Sequence, residues 1–294
     1  MKILLTGASG FIGENLRKLL CSRYKIAAPS SAELNLLDEN AVREYLRAGS
    51  FDAVVHAAST RSNRRTGAPA DMLDRNCRMF FNLVRSRQLF GRMLHFGSGA
   101  EYGRTTLPAQ VQESYFDSRV PTDAYGFSKY ICSKYAECVE TVTVLRLFGV
   151  FGAGEDYTVR FISNACARVV KGLPIVIRQN VKFDYLDVAD LAGVTACFLE
   201  HAPRHKAYNV CRGRSYSLTQ LAELVAEVSG CTPRIVVRNP QLAPEYSGDN
   251  SRMLDELGPY QFREMKDSIR ELYHWYQANA AHIDARQLQF DDSE

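Results

Sequence analysis

Short apolar runs alternate along the first half of the chain with longer stretches in which apolar residues recur at every third or fourth position. Residues 3–5 (Ile-Leu-Leu) precede a helical pattern that starts near Gly13. Residues 25–28, 53–55, 93–96 and 143–145 are further β-rich runs, and 39–47, 73–87 and 125–139 read as helices between them. Strand–helix alternation of this kind predicts an α/β fold, a doubly wound parallel sheet with helices on both faces and right-handed crossovers.

The rhythm changes after Val150. Residues 161–170 read as a helix and 173–177 as a strand. Ser217 and Gln220 have the spacing of a capping box, and Leu221, Leu224, Val225 and Val228 follow at helical intervals. Ile269, Leu272, Tyr273 and Tyr276 repeat that spacing, so the aromatic stripe around Trp275 reads as a core-facing helix. The expected organisation is a dinucleotide-binding domain over 1–150, with 181–204 returning to it. A smaller C-terminal α/β lobe for substrate is expected mainly from 151–180 and 205–294.

Composition narrows the function classes. The net charge of +3 over 294 residues is too small to imply a nucleic-acid partner, and no basic stripe or reader motif accompanies it. None of the eight cysteines forms a Cys-x-x-Cys pair, so they read as small hydrophobes and no metal site is expected. Met1 leads directly into a strand-like segment, and no apolar run is long enough to cross a membrane. A cytoplasmic protein without a membrane partner is the expectation.

Thr6-Gly7-Ala8-Ser9-Gly10-Phe11-Ile12-Gly13 lies between the first strand and the first helix. Glycines at this spacing let the backbone turn tightly and approach a pyrophosphate, while the helix N-terminus supplies amides and a favourable dipole. The position identifies a Rossmann-type site for NAD or NADP, with Gly7, Ser9, Gly10, Phe11, Ile12 and Gly13 at the phosphates. No carboxylate ends the second strand, where the chain reads Ala27-Ala28-Pro29-Ser30-Ser31. An acidic residue there usually holds the ribose hydroxyls of NAD. Its absence favours NADP, with Ser30 and Ser31 as donors to a ribose phosphate.

Tyr125 and Lys129 lie four apart at the start of a helix and therefore share a face. Tyrosine titrates near 10, so a base acting at neutrality needs a shift of about 3 units, roughly 4 kcal/mol. A lysine ammonium beside the phenol pushes in that direction. Ser98 follows the fourth strand and emerges at the carboxyl rim of the sheet, where ligands bind in doubly wound folds. Its hydroxyl can bond a reacting carbonyl or alcohol.

These residues and their order resemble the extended short-chain dehydrogenase/reductase family, in its nucleotide-sugar epimerase/dehydratase/reductase branch. The resemblance runs through Gly7/Gly10/Gly13, Glu33-Leu34-Asn35-Leu36-Leu37-Asp38, His56-Ala57-Ala58, Asn76, Ser98 with Tyr102-Gly103, and Tyr125/Lys129. It continues through Arg146 to Gly152, Asp184 to Leu191, Tyr208-Asn209-Val210 and Trp275. It implies that Asn35 and Leu36 lie near the adenine and Ala57 and Ala58 along the pyrophosphate-ribose. Asn76 and Leu147, Phe148, Gly149 and Val150 complete the implied cofactor set. Tyr125 would be the acid/base, Lys129 would hold the nicotinamide ribose, and Ser98 would orient the sugar oxygen. Ser59, Gly99, Ala100, Arg160 and Lys182 are the further implied contacts to a nucleotide-diphosphate sugar. Hydride would move at the sugar C4. A homodimer is expected from the resemblance.

The departures are informative. Dehydratases of this branch resemble Thr-Asp-Glu where this chain has Ser98-Gly99-Ala100, so the groups that eliminate water are missing. The 33–38 stretch is most similar to that of GDP-fucose synthases, which carry Cys at the Ala100 position and arginines where Ser9 and Ser31 stand. Simple hydride chemistry remains: a 4-keto reductase or a 4-epimerase. Relatives place Arg just before the Asp184 position, where this chain has Lys182-Phe183. The diphosphate grip is then expected from among Arg160, Arg168, Arg178, Arg212, Arg214 and Arg252, or Arg61, Arg64 and Arg65. The competing reading is a non-catalytic dinucleotide-binding regulator, disfavoured because Ser98, Tyr125 and Lys129 occur together.

Overall fold

The structure, a computed structural model, describes residues 1–60, 67–103 and 107–289. In chain order its first half comprises β1 (Lys2–Thr6), α1 (Phe11–Leu20), β2 (Lys25–Ala27), α2 (Glu39–Gly49), β3 (Phe51–His56), α3 (Met72–Arg85), β4 (Phe90–Ser98), α4 (Ala124–Ala136) and β5 (Val142–Leu147). The second half comprises β6 (Gly149–Phe151), α5 (Phe161–Val170), β7 (Ile175–Asp187), α6 (Val188–Glu200), β8 (Ala207–Val210), β9 (Ser215–Ser217), α7 (Leu218–Ser229), β10 (Ile235–Tyr246), α8 (Ser251–Leu257), α9 (Met265–Ala278) and α10 (Ala285–Gln289).

Six parallel strands form the larger sheet in the order β2-β1-β3-β4-β5-β8. The expected doubly wound α/β fold is what the chain adopts. Its interior strands are apolar on both faces because helices cover both. Ile3, Leu5, Val55, Leu94 and Phe96 pack with α1 and α6 on one side. Leu4, Val54, Met93 and Val144 pack with α2, α3 and α4 on the other. Chain order reverses about β1 and β3, which opens a crevice at their carboxyl ends.

The second sheet runs β10-β7-β6, with β9 antiparallel to β7. Its core gathers Ile175, Ile177, Leu221, Val225, Ile269, Leu272 and Tyr276 against α5, α7 and α9. Ser217 and Gln220 exchange the reciprocal bonds of a capping box at the start of α7, as their spacing predicts. The strand expected over 173–177 instead runs on to Asp187, because β10 and β6 pair along it in succession.

Within residues 205–294, expected mainly in the smaller lobe, β8 is the sixth strand of the larger sheet. Tyr208 and Val210 are buried in its core, and Met253 of α8 packs there too. Among the described residues no helix is long and apolar enough to cross a membrane.

Candidate active site

The crevice is shaped by two glycines that admit no substitute. Gly7 has φ +73, and a Cβ on it would fall 2.5 Å from the Ala58 backbone nitrogen. A Cβ on Gly13 would fall 2.2 Å from the Gly7 carbonyl oxygen. Gly10 is less constrained, its nearest neighbour being 3.4 Å away. It is the N-cap of α1 and carries no side-chain acceptor for the first-turn amides, which stay open to an anion.

The crevice encloses about 450 Å³. Gly7, Ser9, Gly10, Phe11, Ile12 and Gly13 line it from the first turn, Ser31, Asn35 and Leu36 from the segment after β2, and Ala57 and Ala58 from the end of β3. Ser59, expected at the sugar, also lines this groove. Leu34, Thr60, Arg75 and Met79 also line it and were not anticipated; Arg75 is paired with Asp71 at 2.6 Å. The size, the steric demand for glycine and the open amides fit a dinucleotide.

Ser30 does not line the groove. Its backbone N–H and hydroxyl both donate to Glu33 Oε2, at 2.8 and 2.9 Å. The strand end thus acquires a carboxylate from three residues on, which the sequence reading missed. The backbone N–H of Ser30, and then its hydroxyl, hold Glu33 below the usual carboxylate range.

Asn76 is buried behind the groove. Its side chain accepts the Thr60 N–H at 2.7 Å and donates to the Thr60 carbonyl at 3.1 Å and the Ser128 hydroxyl at 3.2 Å. The groove wall is thereby fastened to α4, the helix that carries Tyr125 and Lys129. Asp123 caps that helix by accepting the Gly126 N–H at 2.9 Å. Gly126 packs so closely on the strand-end turn that a Cβ would lie 2.8 Å from the Ala100 carbonyl oxygen. The start of α4 and the Ser98–Ala100 turn are therefore in contact. Lys129, buried, donates from Nζ to the Phe96 carbonyl at 2.7 Å.

Two histidines lie in the core near this ammonium. His56 and His95 stack with ring centroids 5.2 Å apart, and His56 Nδ1 is 2.7 Å from the Thr6 hydroxyl. Burial, reinforced by Lys129, pushes His56 down to about 3. Burial, Lys129 and His56 together hold His95 well below its ordinary value. Both rings are neutral at physiological pH.

Ser98 caps the turn that follows β4, its hydroxyl oxygen accepting the Ala100 N–H at 3.2 Å. Gly99 is needed for space: a Cβ there would meet Phe148 Cε1 and the Tyr246 hydroxyl, each at 2.7 Å. Ala100 is fully buried. Phe148 stacks near Tyr102 and Tyr246, with Leu147, Gly149 and Val150 around it on the strands β5 and β6.

Glu101, also fully buried, pairs with Arg146 at 2.7 Å. Burial works against the Arg146 charge, but Glu101 and Tyr102 together outweigh it and the guanidinium is held above its ordinary value. Asp184 accepts the backbone N–H groups of Arg212 and Gly213, both at 2.8 Å, while burial pushes it up to about 7.

The arginines divide. Arg160 is exposed at the N-cap of α5, and Lys182 is exposed on β7. Arg168 is buried and donates to Asn164 at 2.9 Å, to the Pro174 carbonyl at 3.0 Å and to the Leu288 carbonyl. Arg212 donates to the Arg263 carbonyl, and Arg252 faces Glu113 at 3.6 Å. All three make contacts within the molecule, and Arg168 is the one that is buried. Arg214 lies over the Tyr216 ring at 5.1 Å, and Arg178 has a partner of its own. Arg61, Arg64 and Arg65 fall outside the described residues.

The model of the NAD dependent epimerase/dehydratase family matches residues 3–211, which span the glycine turn, the groove, Ser98, Tyr125 and Lys129. The chain belongs to that family. Among epimerase/dehydratase relatives, GDP-6-deoxy-D-talose 4-dehydrogenase of Aggregatibacter actinomycetemcomitans is 27% identical, covering 93% of this chain and 97% of its own. GDP-6-deoxy-D-mannose reductase of Pseudomonas aeruginosa is 26% identical, over 92% and 95%. The solved structure of RMD from Pseudomonas aeruginosa complexed with NADPH superposes with a TM-score of 0.80 at 26% identity, covering 95% of this chain and 99% of that one. A UDP-glucose 4-epimerase from Thermotoga maritima, solved with UDP-glucose, shares the fold with a TM-score of 0.81 at 21% identity, over 95% and 99%.

Proposed function

We propose that this member of the epimerase/dehydratase family is an NAD(P)-dependent enzyme acting on a nucleotide-diphosphate sugar, as a 4-keto reductase or a 4-epimerase. The observation that carries the reading is that Lys129 is bonded to β4 at Phe96, two residues before Ser98, while the start of its helix packs on Ala100. Tyr125 and Lys129 are thus carried on a helix that touches the strand end bearing Ser98, which supports a shared role for the three.

The dinucleotide, when bound, supplies the hydride donor or acceptor. The first-turn amides of α1 hold its pyrophosphate, Asn35 and Leu36 flank the adenine end, and Lys129 bonds the nicotinamide ribose. Ser98 orients the sugar C4 oxygen. Tyr125 gives that oxygen its proton on reduction and takes it on oxidation, with the Lys129 charge favouring the phenolate. Dehydration would also need an acid and a base at the Gly99 and Ala100 positions. The nearby Glu101 carboxylate is committed to Arg146 and the Ser98 N–H. The names of the GDP-6-deoxy sugar relatives support hydride chemistry at such a centre. A homodimer accompanies the reading, and the paired Phe81 and Tyr135 rings offer an outer surface on α3 and α4 for it.

The test is to denature the protein purified without added cofactor and assay released dinucleotide. The protein is then given UDP-glucose, or GDP-6-deoxy-D-mannose and GDP-6-deoxy-D-talose with NAD+ or NADP+. Stoichiometric release and interconversion at C4 without net oxidation identify an epimerase. An empty protein that forms reduced nicotinamide identifies a reductase running backwards. No binding and no turnover would overturn the proposal.

A further inference from the structure

Glu101 does more than fill the core. One carboxylate oxygen accepts the Ser98 backbone N–H at 2.8 Å, and the other accepts Arg146 Nε at 2.7 Å. Arg146 donates from Nη1 to the Tyr102 hydroxyl at 3.2 Å, and Tyr102 donates to Asn209 Oδ1 at 2.6 Å. The guanidinium lies over the Phe116 ring, 4.1 Å from its centroid. Space for the carboxylate is reserved in the sequence: a Cβ on Gly97 would fall 2.3 Å from Glu101 Oε1.

The stability argument for such a pair is weak. Desolvating two charges offsets most of their attraction, and apolar side chains of similar volume often serve a core equally well. What apolar side chains cannot supply is a directional acceptor for the Ser98 N–H. With that N–H held by Glu101 and the Ser98 hydroxyl oxygen accepting from Ala100, both the backbone and one lone pair of the serine are fixed from the protein side. The hydroxyl proton is left to be donated outward.

We infer that Glu101, backed by Arg146, is a positioning residue that holds the Ser98 hydroxyl as a donor to the reacting sugar oxygen. This rests on the role given to Ser98 above. It extends the catalytic machinery to a charge that never touches the sugar.

A double-mutant cycle tests it, on whichever of the three sugar nucleotides named above turns over. Glu101→Gln places an amide against the Arg146 donors and should lower kcat by roughly 10²-fold, the scale of a misplaced catalytic group. KM and dinucleotide affinity should stay within about threefold, because the groove is untouched. In a Ser98→Ala background the same substitution should change kcat by less than about threefold, since its effect passes through the serine. An equal loss in both backgrounds overturns the proposal and leaves Glu101 a packing residue. If Glu101→Gln does not fold, Glu101→Leu with Arg146→Met removes both charges and the acceptor together. That pair should fold and give the same Ser98-dependent loss; full activity would overturn the proposal. A Ser98→Ala variant that is itself fully active, or a chain that turns over none of the three nucleotides, would instead remove the site reading.

Discussion

Lys129 Nζ donates to the carbonyl oxygen of Phe96 across 2.7 Å, joining α4 to the strand that ends in Ser98. The ammonium is buried, and the two histidines near it are neutral. On the proposed mechanism it acts on Tyr125, four residues earlier on the same helix, in a medium of low dielectric. Lys129→Met should lower kcat by about 10²-fold or more and move upward, by about a pH unit, the limb set by Tyr125, which is the acidic limb in the oxidising direction. A pH–kcat profile checks both; an unmoved limb means Lys129 does not tune the tyrosine.

Tyr125→Phe removes the proton donor while keeping the ring. Turnover should fall by roughly 10²–10⁴-fold. Dinucleotide affinity, read by fluorescence titration, should change little. An active variant would transfer the acid/base role to another group.

Gly13→Ala would drive a methyl to 2.2 Å from the Gly7 carbonyl. Backbone must then shift in the turn that faces the pyrophosphate, and overpacking of this kind costs about 1–3 kcal/mol. Dinucleotide binding should be lost at concentrations that saturate the parent, with Tm lowered. Gly10→Ala, whose nearest neighbour is 3.4 Å away, is the contrast and should fold normally.

His95 is buried, and among the described residues neither ring nitrogen has a hydrogen-bond partner. It packs edge-on against Phe80, centroids 4.8 Å apart. A histidine depressed in the fold binds its proton only on unfolding, so its stabilisation is complete above about 6.5 and is lost as pH falls. His95→Phe should remove one such proton, flattening stability between about pH 6.5 and 5 by up to roughly 1.4 kcal/mol per unit relative to the parent. Asp184, raised to about 7, slopes the opposite way in both proteins, so the difference between them is the measure. Parallel urea midpoints across that range would contradict the assignment.

Most of the larger sheet was legible because its period is local. Leu4 facing one core while Ile3 and Leu5 face the other is already written in the apolar runs. β10 was not, since Pro240 and Pro244 interrupt any strand pattern and its pairing with β7 is irregular around Ala243. β8 was not legible as part of the larger sheet, because which sheet a four-residue strand joins depends on partners far along the chain. At the site the same division holds. Gly7, Gly13, Ser98 and Lys129 announce themselves by motif. Glu101 was visible as a residue, and Ser98-x-x-Glu101 has the spacing of a capping box, but Arg146 lies 45 positions on. For Arg168, Arg212 and Arg252, sequence cannot tell a solvated guanidinium from one spent on carbonyl or carboxylate partners inside the molecule.

β7 is a single run of 13 residues within the smaller sheet, paired first with β10 and later with β6. Its last residue, Asp187, caps α6 directly. Ile175 and Ile177 at its start are buried in the core of the smaller sheet, and Leu186 near its end is buried in the core of the larger one, so a single unbroken strand ties the two cores together. The two layers are thus joined by continuous backbone and not only by side-chain packing, and a change that breaks β7 in mid-run would uncouple both cores at once.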